Sequence, residues 1–270
     1  MWVRLKLYFY LNMYKILLII PFCLVLFAFN NTNSNQENHL NSEKNTEIGG
    51  LHNQGLDNIL TEFQKRESWT YDEIFSNLES YAYAQQILIN ESPVVGSISD
   101  ESMSQVLSVV KANLKTIVEK DRAKLKQLVK DLGANQTDTK HLAAVNSILK
   151  NSSKNESLSS ITARIDAYQE KIERKGELTE LLSNSYTVLK SSIAYWEKNH
   201  KKWTNIKYES DNEDSIANYK FWDTVNSMAE GDLWSFAVGT IMAGPAGGIA
   251  AGCYGSAAVG IRDLVTGECC

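Results

Sequence analysis

The sequence predicts an all-α protein: an N-terminal signal or anchor, a long-helix bundle or coiled-coil-like body, and a C-terminal glycine-rich helix or helical hairpin. Three observations predict it. Apolar residues recur at three- and four-residue spacing from Leu51 to Trp203, as the buried face of a helix requires. Only three prolines interrupt 270 residues, and proline removes a donor and clashes inside a helix. Finally, an uncharged stretch lies between Asp232 and Arg262, and from Gly244 onward it carries a small residue at every fourth position.

The N-terminus sets the address. Arg4, Lys6 and Lys15 precede uncharged, mostly apolar residues 16–29. Apolar runs of about 10–14 residues fit a signal-peptide core better than a spanning helix. Basic residues stay on the cytoplasmic side and send the downstream chain outward. Residues 1–29 are therefore read as a signal peptide or signal anchor, and the rest as exported, membrane-associated, and periplasmic or extracellular. Residues 30–50 are polar and Asn-rich. Such a segment buries too little apolar surface to offset its ordering entropy, which predicts a flexible tether.

Residues 51–231 form the expected helical body. Leu56, Ile59, Leu60 and Phe63 line one helix face. Thr70 and Glu73, three apart and preceded by Trp69, match a capping box for a second helix carrying Leu78 and Tyr81. That helix stops near Glu91, because Pro93 forces Ser92 out of helical backbone. Ser99 or Asp100 caps a third, with Met103, Val106, Leu107, Val110, Ile117, Leu125 and Val129 on one face as far as Gly133. A short helix bearing Leu142, Val145 and Leu149 comes next, and then a polar loop near Asn151. From Leu158 to Trp203 an apolar seam keeps heptad phase across Gly176, which predicts one long, locally weakened helix packed on partners.

Residues 232–262 form the segment that demands explanation. Gly244, Gly248, Gly252, Ser256 and Gly260 would make one groove on a helix, open to close approach by another backbone. Each interior glycine costs about 1 kcal/mol relative to alanine, so intimate packing or lipid must compensate. Pro245 either kinks one span or opens a second helix after Gly244, giving a hairpin. In the hairpin case neither arm crosses a bilayer fully, and the segment inserts partway or packs on the protein itself. Residues 263–270 remain as a tail.

Charge excludes one class of partner. The formal net charge is −5. Losing Arg4, Lys6 and Lys15 with the first thirty residues leaves 24 bases against 32 acids, or −8. An acidic chain is repelled by phosphate backbones, so no nucleic acid is expected, and composition offers no basic surface for anionic lipid. Membrane, a second copy, or a protein docking on the helical seams is the expected partner. Cys23, Cys253, Cys269 and Cys270 form neither a disulfide framework nor a metal set.

No catalytic, cofactor or metal residues are assigned. His52 and Asp57, five apart, point away from each other around a helix, so His52 is read as a polar contact in the first turns. His141 and His200 lack the i, i+4 partner or Glu-x-x-His repeat of helical metal sites. No nucleophile elbow or phosphate loop occurs. A non-enzymatic protein is expected. Dispersed catalysis would need a deep polar pocket joining His141 or His200 to several acids.

The stripe from Gly244 to Gly260 resembles the glycine-zipper segments of bacterial membrane and membrane-active proteins. Residues 50–57, Gly-Leu-His-Asn-Gln-Gly-Leu-Asp, are similar to an N-terminal segment of exported bacterial proteins of unassigned activity. The resemblance implies a membrane-linked helical protein and no enzymatic residues; Pro245 departs from a straight zipper. Two functions are expected on these grounds. One is an exported protein whose zipper inserts into membrane or self-associates. The other is a soluble secreted or periplasmic scaffold or adaptor with the glycine segment buried in its fold.

Overall fold

The computed structural model describes residues 34–65, 68–119, 121–152, 156–206 and 221–264. The expected signal and the tail after 264 lie outside them. Of this part, 83% is helical and no strand occurs in it, so the all-α expectation holds. The helices are Ser34–Phe63 (α1), Tyr71–Glu91 (α2), Asp100–Ala112 (α3), Leu114–Val118 (α4), Arg122–Asp131 (α5), Gln136–Lys150 (α6), Leu158–Glu173 (α7), Glu180–Trp203 (α8) and Phe221–Leu264 (α9). The chain forms two units, Met1–Glu43 and Lys44–Cys270, and the packing of the helices is a property of the second.

Local chemistry sets the helix starts. Thr70 and Glu73 close the expected capping box on α2, and Ser99 accepts the Ser102 N–H at the start of α3. Asp121, Asn135, Ser157 and Thr179 do the same for α5, α6, α7 and α8. Each side chain satisfies an N–H that has no partner within its own helix.

Three expectations need correction. The flexible tether over 30–50 is wrong for its described part: residues 34–50 are helical, and Ile48 and Gly49 are buried. A Cβ on Gly49 would collide with Ser191 of α8. Polar composition is outweighed by one apolar face that meets a neighbour. The third helix is in fact three, because Asn113 ends α3 and Asp121 starts α5; Gly133, at φ 111°, closes α5.

The long helix across Gly176 is also two. Gly176 sits at φ 68°, where its N–H bonds Glu173 O and the Glu177 N–H bonds Ile172 O, a Schellman closure. Thr179 then caps α8. The seam keeps its phase because α7 and α8 each bury a stripe, Leu158, Ile161, Ile165 and Ile172 on one and Leu182, Tyr186, Leu189, Ile193 and Trp196 on the other. Lys175 and Thr179, the polar residues beside Gly176, are the turn itself.

α9 is a hairpin. Ala243 (φ −146°, ψ 29°) and Gly244 (φ 67°, ψ −167°) leave helical backbone between a first arm, 221–242, and a second, 245–264. Only glycine takes this φ without strain, and Pro245 opens the second arm where its missing N–H costs nothing. The hairpin packs on α8, α3, α2, α4, α6 and α5. Residues 227–239 and 246–263 are buried without interruption. The most apolar of the described helices is therefore the core, sheathed by amphipathic helices.

Candidate functional site

Two small-residue stripes hold the hairpin, on different faces. Gly239 and Gly247 meet backbone to backbone, and a Cβ on either would strike the other's carbonyl. Gly255 faces Ser235, and a Cβ on Gly231 would meet Val259 at 2.9 Å. The first arm's contribution, Gly231, Ser235 and Gly239, has the same four-residue spacing as the expected stripe and is legible in the sequence, but sequence reasoning missed it.

The predicted stripe mostly faces the sheath. A Cβ on Gly252 would stand 3.1 Å from His52 Cδ2, and one on Gly260 2.7 Å from Trp196 Cη2. Ser256 accepts from Trp196 Nε1 at 2.9 Å. Gly248 meets the other arm, at Phe236 and Thr240, Ser256 also reaches it through Asp232, and Gly244 makes the turn with open space beside it. Four of the five predicted residues thus lie in internal contacts and the fifth shapes the tip.

At the centre of that face is a buried polar knot. His52 Nε2 lies 2.8 Å from Asp232 Oδ1, and neither side chain touches solvent. Asp232 Oδ2 accepts from Ser192 and, at 2.8 Å, from Ser256. His52 Nδ1 is 3.2 Å from Asn53 Oδ1, and Cys253 Sγ donates to His52 O at 3.3 Å. α1, α8 and both arms of the hairpin are joined here. Burial works against the imidazolium, but the Asp232 charge and the hydrogen bonds to Asp232 and Asn53 outweigh it and raise the His52 pKa. His52 is therefore not a polar contact in the first turns; it lies deep within α1, because that helix begins well before residue 51.

The knot contains Ser, His and Asp, yet its connectivity is unlike a nucleophile site. Both serines bond the carboxylate and neither reaches the imidazole, so the nucleophile–base contact of acyl transfer is missing. His141 is buried and joins Tyr168 OH at 2.7 Å and Glu177 Oε2 at 3.0 Å, tying α6 to the α7–α8 turn. Among the described residues it bonds a single acid. His200 bonds carbonyls of its own helix. Among the described residues no group of three or more His, Cys, Asp or Glu could hold a metal.

Charge is confined to one end of the hairpin. Glu230 accepts from Arg122 Nε at 3.0 Å and Asn146 Nδ2 at 2.7 Å, and Arg262 pairs with Asp263. Beyond Asp232 and before Arg262 nothing is charged. At the other end, residues 240–245 are half-buried, and Ile241, Met242 and Ala243 reach the surface beside Gly244 and Pro245. Residues 51–57 meet the second arm of the hairpin at His52–Gly252 and Gly55–Cys253. Against family models, curated proteins and solved structures alike, the chain has no match.

Proposed function

We propose that this is an exported, non-enzymatic helical protein that stores an apolar hairpin inside a water-facing sheath and acts by delivering that hairpin, tip first, into a membrane. The carrying observation is its polarity. Residues 233–261 hold no charge and include a partly exposed Ile-Met-Ala-Gly-Pro tip, while Glu230, Asp232, Arg262 and Asp263 sit together at the base. At 1.5 Å per residue the charge-free parts of the arms measure roughly 15 and 25 Å, against a hydrocarbon core of about 30 Å. Entry into one leaflet suits those lengths better than a full crossing. The close Gly239–Gly247 contact lets the two arms travel as one body and keep their backbone bonds satisfied in lipid.

A second reading, a soluble scaffold, draws on the fact that Gly252, Ser256 and Gly260 are already occupied by His52 and Trp196. One experiment separates the two. A Cβ on Gly55 would lie 3.5 Å from Cys253 Cβ, within disulfide range. Gly55→Cys, in a chain with Cys23, Cys269 and Cys270 changed to Ser, ties the hairpin to α1 when oxidised. Insertion predicts that the oxidised protein is released from vesicles by carbonate and that the reduced protein resists it. Release in both states supports the scaffold.

A further inference from the structure

Between α5 and α6 lies a cleft of about 400 Å³ lined by Lys126, Lys130, Gln136, Thr137 and Lys140. All five are exposed, and among the described residues none of the three lysines forms an ion pair. Lys126 and Lys130 stand one turn apart on α5, so they share a face, and Lys140 closes the cleft from α6. The two acids at the end of α5 and in the first turn of α6 have other partners. Asp131 accepts from Gln127 at 2.7 Å, and Asp138 is buried against Asn135 and Thr179. In a chain of net negative charge, three unpaired ammonium groups around one cleft make a local positive site that composition alone conceals.

Its position gives it meaning. Ser192 and Ser256 both reach Asp232, and Trp196, one turn on, touches Ser256 and Gly260, so α8 runs parallel to the second arm. The start of α8 therefore lies toward the hairpin tip. Thr179, just before it, donates to Asp138 in the first turn of α6 at 2.7 Å. That same turn supplies Gln136 and Thr137, with Lys140 one turn on. The cleft is thus at the tip end of the bundle.

We infer that this cleft binds the phosphate-bearing headgroup of an anionic phospholipid and so sets the protein on a membrane with the hairpin tip facing it. The ammonium groups neutralise the headgroup, and Gln136 and Thr137 offer hydrogen-bonding side chains beside it. This inference rests on the insertion reading for its purpose, but its binding step can be measured separately.

The test uses the full-length chain with vesicles of neutral phosphatidylcholine, alone or mixed with anionic phosphatidylglycerol. Wild type should float with the mixed vesicles only. Changing Lys126, Lys130 and Lys140 together to Gln should weaken that binding on the order of a hundredfold. Changing Lys198, Lys201 and Lys202 of α8 to Gln, an equal loss of charge elsewhere, should leave it nearly unchanged. Equal losses in both triple variants, or none in the first, overturn the cleft. Lysine-dependent binding of inorganic phosphate without lysine-dependent flotation overturns the lipid assignment. Carbonate treatment tells the two proposals apart. Lysine-dependent flotation that carbonate fully reverses keeps the cleft and removes insertion; carbonate-resistant protein with intact flotation in the first variant keeps insertion and removes the cleft.

Discussion

His52 and Asp232, 180 positions apart, form a solvent-free ion pair that fastens the first described helix to the hairpin it helps enclose. Removing one partner strands the other in a medium that cannot solvate it. Asp232→Ala should destabilise the fold by about 3–5 kcal/mol. Urea unfolding monitored by far-ultraviolet circular dichroism would measure it. A loss below about 1 kcal/mol would mean that the knot is solvated in solution.

The same pair gives a pH signature. The folded-state pKa of His52 is raised above the ordinary value of about 6.5. The stabilisation from the imidazolium is therefore complete below that value and is lost as pH rises through the folded one. Wild-type stability should fall with rising pH above about 6.5 more steeply than that of His52→Gln. Parallel slopes for the two proteins would assign the dependence to other groups.

Glycines in different settings should respond in opposite ways to the same change. Gly239→Ala drives a methyl into the Gly247 carbonyl, where backbone must move, and should cost about 1–3 kcal/mol or more. Gly50→Ala, exposed on α1 with nothing within 4 Å, should instead gain about 0.5–1 kcal/mol from helix propensity. Thermal melts of both variants check the pair, and a neutral Gly239→Ala would deny the close crossing of the arms.

What could be read from sequence was local. The caps at Thr70 and Ser99 and the break at Gly244–Pro245 depend on neighbours a few residues away, and all three are where the sequence places them. What could not be read was pairing between distant segments. Nothing within residues 44–57 announces that Gly49 faces Ser191 or that His52 faces Asp232. Gly176 misled for a different reason. Two successive helices can bury stripes whose numbering happens to agree, so periodicity alone does not distinguish them from one helix. The stripe of Gly244 to Gly260 announced close packing, yet the identity of the packed surface lay in α1, α8 and the first arm of the hairpin.

The turn at Gly176 can be tested by its own chemistry. Alanine at φ 68° incurs the left-handed strain of about 1–2 kcal/mol, whereas a continuous helix through this point would gain from the change. Gly176→Ala should therefore lower the thermal midpoint, and an increase would restore the single long helix.

Glu230 offers a coupling measurement at the base of the hairpin. Its carboxylate is buried and held by Arg122, itself one-third exposed, and by Asn146. Arg122→Met leaves that carboxylate with one neutral donor and should cost about 2–3 kcal/mol, less than a fully buried pair because water reaches the guanidinium side. Glu230→Gln keeps an acceptor for Asn146 and removes the charge. Adding Glu230→Gln to Arg122→Met should therefore recover part of the loss, with a coupling of at least about 1 kcal/mol in a double-mutant cycle. Strict additivity would show that Arg122 serves only as apolar cover for the hairpin, since a guanidinium stem can stabilise by packing without its charge.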